Sequence, residues 1–212
     1  MGRPTFFVTF ITKILDASVR MYFITIITKR KDYKMSSQKT PAGSQFPALK
    51  VAKLGGGDLT LGFPQGGHDW QMVVVYRGKH CPMCTTYLKE LETLLPEFNA
   101  LGVDVVAVSA DPEAKATDQI ALVQPSYPVG YGLSRDQMHE LGLYVSDPRS
   151  AQETDRPFAE PGIFVVNADG QVQVTDISNA PFARPDLKTL LGGLRFIRNP
   201  ENNYPIRGTR AA

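Results

Sequence analysis

Cysteine is nearly absent, with two in 212 residues. So few thiols exclude a disulfide framework and a four-thiolate zinc site. They fit a reducing compartment, the cytoplasm, where a vicinal pair is more often redox-active or metal-binding than structural. Long apolar runs are also missing. Residues 6–28 are apolar but broken by Lys13, Asp16 and Arg20, and the uncharged stretches Pro4 to Thr12 and Met21 to Thr28 are too short to span a bilayer. No compact apolar core followed by a small-residue cleavage site marks a secretory signal. No clustered basic stripe marks a nucleic-acid footprint, and no internal repeat is visible.

What is present suggests one globular domain, since 42% of the residues are hydrophobic. Charge divides unevenly. Residues 1–34 carry seven Lys/Arg against two Asp/Glu, a balance of +5; the remainder carries 16 against 19, a balance of −3. The body is therefore mildly acidic. Three readings fit the basic N-terminal extension: a targeting segment, an interfacial amphipathic helix, or an upstream extension of a protein whose functional start is Met35. The sharp composition shift at Met35 favours the third. Residues 35–48, rich in Ser, Gln, Pro and Gly, read as a flexible lead-in. Residues 49–198 form the domain, and 199–212 a polar, proline-broken tail, either loose or draped over the body. Tyr204-Pro205-Ile206-Arg207-Gly208 in that tail is a candidate to dock near the active site or at a partner subunit.

Within the body, Leu54-Gly55-Gly56-Gly57-Asp58 reads as a turn into a short strand, because the Lys-Ser/Thr of a phosphate-binding loop is missing. Met72–Tyr76 and Val103–Val108 read as buried strands. Between them Leu88, Leu91, Leu94, Leu95 and Phe98 recur at helical spacing, and Gly102 ends that helix. Asp111-Pro112 reads as a helix start, with Asp111 as N-cap and Pro112 at the first helical position. Val129–Leu133 and a short helix from Ser134 to Leu141 follow. Gly162–Val166 is a further strand, turned by Asn167-Ala168-Asp169-Gly170 into an antiparallel partner over Gln171–Asp176. Arg184-Pro185-Asp186 opens a last helix to about Arg198. Strands alternating with helices, then a late hairpin, define an α/β sandwich with a mixed sheet.

The two cysteines fall in one tetrapeptide, Cys81-Pro82-Met83-Cys84, at a strand-to-helix junction. Pro82 suits the first turn of the helix, which puts Cys81 at or near the N-cap. There its sulfur meets unpaired N–H groups and the positive end of the helix dipole. Such settings lower a cysteine pKa from ~8.5 to ~3.5–7.5. Arg77, Lys79 and His80 add positive or proton-accepting groups. Cys84 lies one turn on and less exposed, so Cys81 is the nucleophile and Cys84 the resolving thiol. The remaining histidines, His68 beside Asp69 and Trp70, and His139 on a short helix, read as loop and surface residues.

The run Tyr76-Arg77-Gly78-Lys79-His80-Cys81-Pro82-Met83-Cys84 resembles the active-site loop of the thioredoxin-like superfamily, in its AhpC/TSA (peroxiredoxin-like) branch. Glu160-Pro161-Gly162 through Gly170 is similar to the proline, strand and hairpin opposite that loop, and Tyr127-Pro128-Val129 through Tyr144 to the family's middle strand and helix. The resemblance covers about residues 45–200. It implies a thioredoxin-like (peroxiredoxin-like) three-layer sandwich, its mixed central sheet flanked by helices. It also implies a cis Pro161 packed against the cysteine loop, and an arginine near the thiolate: Arg77, Arg156 or Arg184. The implied activity is antioxidant: Cys81 reduces a hydroperoxide, Cys84 closes a disulfide, and a thioredoxin- or glutathione-type thiol restores the pair. No cofactor is implied, and the resemblance is compatible with a homodimer.

The loop departs from the family pattern in two respects. Three residues before the cysteine the family has Thr or Ser; here Gly78 stands there, and no proline precedes Cys81 in the loop. Thr85 and Thr86 are candidates to supply the missing hydroxyl. Two alternatives therefore stand beside the peroxidase: a protein disulfide reductase using the same pair by exchange, and a Cu(I)-binding metallochaperone module holding metal through the soft ligands Cys81, Met83 and Cys84, joined by His80 or His139.

Overall fold

The computed structural model describes residues 39–210; the readings for residues 1–34 lie outside these. Two valine-rich strands build the centre. Trp70–Val75 (β3) and Val103–Val108 (β4) are buried along nearly their whole length, as strands covered on both faces must be. They pair in parallel, Val75 opposite Val108. Around them a seven-stranded sheet is assembled from Leu49–Lys53 (β1), Asp58–Leu61 (β2), Val129–Tyr131 (β5), Gly162–Val166 (β8) and Val172–Ile177 (β9) in the order β2-β1-β5-β4-β3-β8-β9. The β3–β4 and β4–β5 pairs are parallel and the others antiparallel, so the sheet is mixed. Val145–Ser146 (β6) and Phe158–Ala159 (β7) form a separate two-stranded pair.

Side-chain alternation along β3 divides the core into two layers. Met72, Val74 and Tyr76 face a cluster containing Leu88, Leu91 and Phe98 of helix Pro82–Ala100 (α1), Val123 of helix Glu113–Val123 (α2) and Leu191 of helix Leu187–Arg198 (α4). Val73 and Val75 face the opposite cluster, with Met138 of helix Arg135–Glu140 (α3), Leu141, Leu143 and Phe164. Helices on both faces of a mixed sheet give the three-layer α/β sandwich. Among the described residues no helix is long and apolar enough to cross a membrane.

Local chemistry explains most boundaries. Ser134 and Gln137 form a reciprocal capping box at the start of α3. Asp186 caps α4 through the amide of Thr189 at 2.8 Å. Strand β1 is an addition to the sequence reading: Leu49 and Val51 turn inward while Lys50 faces solvent. Its hairpin to β2 turns on Gly55, Gly56 and Gly57, all at positive φ. A second difference concerns Asp111 and Pro112. Helix α2 starts at Glu113 with Pro112 at the cap position and no side-chain cap; the Asp111 carboxylate is turned elsewhere.

Residues 39–46 of the expected flexible lead-in are tied down. Thr40 Oγ1 donates to the Leu141 carbonyl at 2.8 Å, and the amides of Gly43 and Phe46 donate to the carbonyls of Val172 and Gly170. The tail is draped over the body. Tyr204 packs edge-on against Phe196, and Arg207 lies over the Tyr204 ring. Tyr204, Arg207 and Gly208 line a cavity of about 580 Å³ together with Lys39–Ala42 and Gln173–Thr175, and no residue of the cysteine loop lines it.

Phe98 is wholly buried at the far end of α1. Phe98→Ala is expected to lower unfolding free energy by about 3–5 kcal/mol, read as a shift of the chemical denaturation midpoint at unchanged slope.

Candidate active site

Strand β3 ends at Val75, and five residues carry the chain from it to Cys81. Gly78 takes φ of +129°, open to glycine and strained for any residue with a side chain. A β-carbon there would fall 2.6 Å from Oδ2 of Asp111. The next amide, Lys79 N–H, donates to that oxygen at 2.7 Å. The Cys81 amide then closes a turn onto the Gly78 carbonyl at 3.1 Å. Cys81 is thereby delivered to the N-cap of α1 in extended conformation, with Pro82 filling the first helical position.

At that cap Cys81 Sγ accepts a hydrogen bond from the Cys84 amide at 3.3 Å. The Cys84 thiol points at it across 2.6 Å. The two are free thiols, beyond the ~2.05 Å of a disulfide but placed for one to form. Only 2% of Cys81 and none of Cys84 is exposed. The thiol of Cys84, donating to Cys81, is the main cause that lowers the Cys81 pKa to about 6. Burial opposes it, while the Cys84 amide, Arg77 and Arg184 reinforce it. Cys84 moves the opposite way, pushed up first by its hydrogen bond to Cys81, then by burial and by the charge of Cys81. The pair thus shares one proton, and it sits on Cys84.

The three candidate arginines separate. Arg77 and Arg184 both stabilise the Cys81 thiolate. Arg77 is held by Glu160 at 3.2 Å and Glu153 at 3.6 Å, and its guanidinium lies over Phe158 at 4.7 Å. The Arg77–Glu160 contact is an ion pair without hydrogen-bond alignment. Arg184 reaches the cysteine helix from the loop before α4, donating to the Met83 carbonyl at 3.2 Å and stacking on Tyr87 at 4.3 Å. Arg156 instead bonds Asp155 through two nitrogens.

The expected cis bond at Pro161 is not formed: Glu160–Pro161 is trans, as are all peptide bonds of the described residues. The reason lies in the backbone pairing on either side. The Glu160 amide donates to Tyr144 O at 2.8 Å, Pro161 O accepts from the Ser178 amide at 3.0 Å, and Gly162 is already in register with Val75 and Ile177. A trans bond continues that extended path into β8. The contact with the cysteine loop comes from Glu160, whose carboxylate, bonded by the Ser146 hydroxyl at 2.7 Å, meets Arg77.

Neither threonine takes the place of the missing hydroxyl. Thr85 Oγ1 donates to the Cys81 carbonyl at 3.5 Å and accepts from Gln119 at 3.1 Å, while Thr86 bonds Pro82 O. The His80 ring packs on Phe158 at 4.5 Å, and its pKa is lowered, first by burial and then by Arg77. His68 sits in an exposed turn, Nδ1 2.8 Å from Gln65 O. His139 lines a cleft with Lys39–Pro41, away from the cysteines. Met83 opens onto a groove with Tyr87 and Phe182. Among the described residues no group of three or more His, Cys, Asp or Glu is arranged to hold a metal. Two site residues, Asp111 and Glu160, escaped the sequence reading. The signal for Asp111 was strand register: the offset that pairs Val75 with Val108 brings Gly78 beside Asp111, at the carboxyl ends of adjacent parallel strands where α/β sites form.

A helix-capped thiolate with a second thiol behind it, on this sheet, defines a thiol-redox protein of the thioredoxin-like class. The profile of the AhpC/TSA family matches residues 42–175, and the chain belongs to that family. A probable 1-Cys peroxiredoxin of Syntrichia ruralis is 23% identical over 111 residues, 50% of this chain. The chain spans about half the length of that relative, 51%. Among solved structures, peroxidoxin BcpB from Mycobacterium tuberculosis matches with a TM-score of 0.62 at 19% identity, over 76% of this chain and 99% of that one. A peroxiredoxin-like protein from Aquifex aeolicus matches with a TM-score of 0.63 at 14% identity, over 76% and 89%. These likenesses confirm the fold.

Alkylation of the reduced protein by iodoacetamide is expected to rise with pH through a midpoint near 6, since the thiolate is the reactive form. Cys84→Ala removes the donor with the largest effect and should move the midpoint up toward that of an ordinary thiol, ~8.5. A wild-type midpoint already at that value would contradict the arrangement.

Proposed function

We propose that this protein is a thiol-dependent peroxidase, with Cys81 as the peroxide-reducing thiolate and Cys84 as the resolving thiol. The observation that carries the reading is the state of Cys81: a thiolate favoured near neutral pH, backed by a thiol at 2.6 Å, yet only 2% exposed. A small hydroperoxide can approach so recessed a sulfur, whereas a disulfide on a folded protein needs it at the surface.

In the first step the Cys81 thiolate attacks the terminal oxygen of ROOH. The O–O bond breaks, sulfur is oxidised to sulfenic acid, and RO⁻ leaves to take a proton as ROH. The helix N-terminus and the guanidinium groups of Arg77 and Arg184 stabilise negative charge at this place. In the second step the Cys84 sulfur attacks Cys81–SOH. The S–S bond forms, the S–O bond breaks, and hydroxide leaves as water with the Cys84 proton. A dithiol of thioredoxin type, or glutathione, then reduces the disulfide by exchange. Such a cycle belongs to a reducing compartment such as the cytoplasm. Residues 49–198 carry this chemistry as the redox domain.

Hydrogen peroxide consumption with a dithiol reductant tests the proposal. Wild type is expected to turn over, Cys81→Ser to fall to the rate of the reductant alone, and Cys84→Ser to consume one equivalent and stall without added thiol. Insulin disulfides should be reduced no faster than by the reductant alone. Peroxide consumption no faster than that of free cysteine would falsify the proposal.

A further inference from the structure

The structure assigns Asp111 as the positioning residue of the cysteine loop, a carboxylate that fixes Cys81 at the helix cap without touching it. Asp111 is 3% exposed. Its backbone is anchored to the sheet: the amide donates to Ser109 Oγ at 3.3 Å, and the carbonyl accepts from the Gly132 amide at 2.8 Å. From this rigid base Oδ2 receives the Lys79 amide at 2.7 Å. Lys79 is a central residue of the turn that the Cys81 amide closes onto Gly78 O. The carboxylate also fills the space of a β-carbon at Gly78, with Oδ2 at 2.6 Å and Oδ1 at 2.8 Å.

Three consequences follow from that arrangement. Gly78 and Asp111 are a matched pair, since any side chain at Gly78 would displace the carboxylate. The loop is held from the neighbouring parallel strand, so its position is set by the sheet. And the last residue of the turn is the N-cap whose sulfur must meet the Cys84 amide and thiol. Positions held within a few tenths of an ångström by supporting residues are what a reactive group needs. Without the anchor the turn loosens, and Cys81 loses the hydrogen bonds that hold its thiolate.

The consequence for turnover rests on the peroxidase reading, but the test reads the thiolate directly. Alkylation of Cys81 is followed against pH in the full-length reduced wild type, Asp111→Ala and Asp111→Asn. Asn keeps an acceptor for the Lys79 amide and should preserve the wild-type midpoint. Ala should raise it by about one pH unit, with roughly tenfold slower alkylation below it, while the far-UV circular dichroism stays unchanged. A folded Ala variant with the wild-type midpoint overturns the proposal, as does an Asn variant as impaired as Ala. Should Asp111→Ala not fold, Asp111→Ser takes its place. Amide exchange of Lys79 in wild type then adds a variant-free reading: protection is expected, and exchange at the rate of an open loop overturns the assignment. Peroxide turnover is recorded on the same samples. Its absence in wild type defeats the peroxidase reading and leaves the alkylation midpoints to decide the role of Asp111.

Discussion

The parallel pairing of β3 with β4 is the constraint on which the site depends. It sets Val75 beside Val108 and carries the register past the ends of both strands, so the two loops that follow must share one space. One loop leads to a cysteine and the other presents a buried carboxylate. Gly78, with no β-carbon, leaves room for the Asp111 carboxylate to take the Lys79 amide at 2.7 Å. Helix α1 then starts at a fixed place and direction, because its first residues follow a turn bonded at both ends. The apolar stripe from Leu88 to Phe98 locks the rest of the helix onto the sheet. Sheet register, loop shape and helix dipole are thus one linked arrangement.

The chemistry of the cysteine pair is a balance of opposed effects within that frame. Burial alone would raise both thiol pKa values and leave the pair inert. Hydrogen bonding breaks the symmetry. Cys84 donates both an amide and a thiol to Cys81; both bonds favour charge on Cys81, and the thiol bond disfavours it on Cys84. The guanidinium groups of Arg77 and Arg184 further favour charge on Cys81. Arg77 is partly neutralised by Glu153 and Glu160, whereas Arg184 is engaged by carbonyls and a ring. The polarity of the pair is built into the helix start, where the N-cap sulfur accepts both the amide and the thiol of Cys84.

The buried strands and the cysteine helix were legible because their signals are local. Val103–Val108 and Gly162–Val166 are short runs rich in β-branched residues, and α1 shows its apolar spacing over three turns. The N-cap cysteine was legible from Pro82 alone. What escaped was set by distant pairing. Strand β1 has only Leu49 and Val51 as inward residues, too short a pattern to stand out beside a lysine-rich context. Asp111 next to a proline carries every mark of a helix cap, and only the neighbouring strand turns its carboxylate toward Lys79. Arg184 lies about a hundred residues from Cys81 in sequence, and nothing local distinguishes it from Arg156. At Pro161 the residue type suited either isomer, and the hydrogen bonds of Glu160, Pro161 and Gly162 to three different segments select the extended path.

Gly78 changes meaning most between sequence and structure. In sequence it is the place where a hydroxyl is missing. In structure a hydroxyl-bearing residue does not fit: the backbone sits at φ +129° and the Asp111 carboxylate occupies the space beyond the α-carbon. The loop has thus exchanged a side chain that could reach toward a bound oxygen for a carboxylate that holds the backbone. On the proposed peroxidase reading, stabilisation of the departing oxygen falls to what still surrounds the sulfur, the positive end of the helix and the two arginines. These groups act through charge, with little demand on the shape of the molecule that delivers the oxygen. Specificity, on that proposed peroxidase reading, is set by access to a nearly buried sulfur more than by contacts at the reacting atoms.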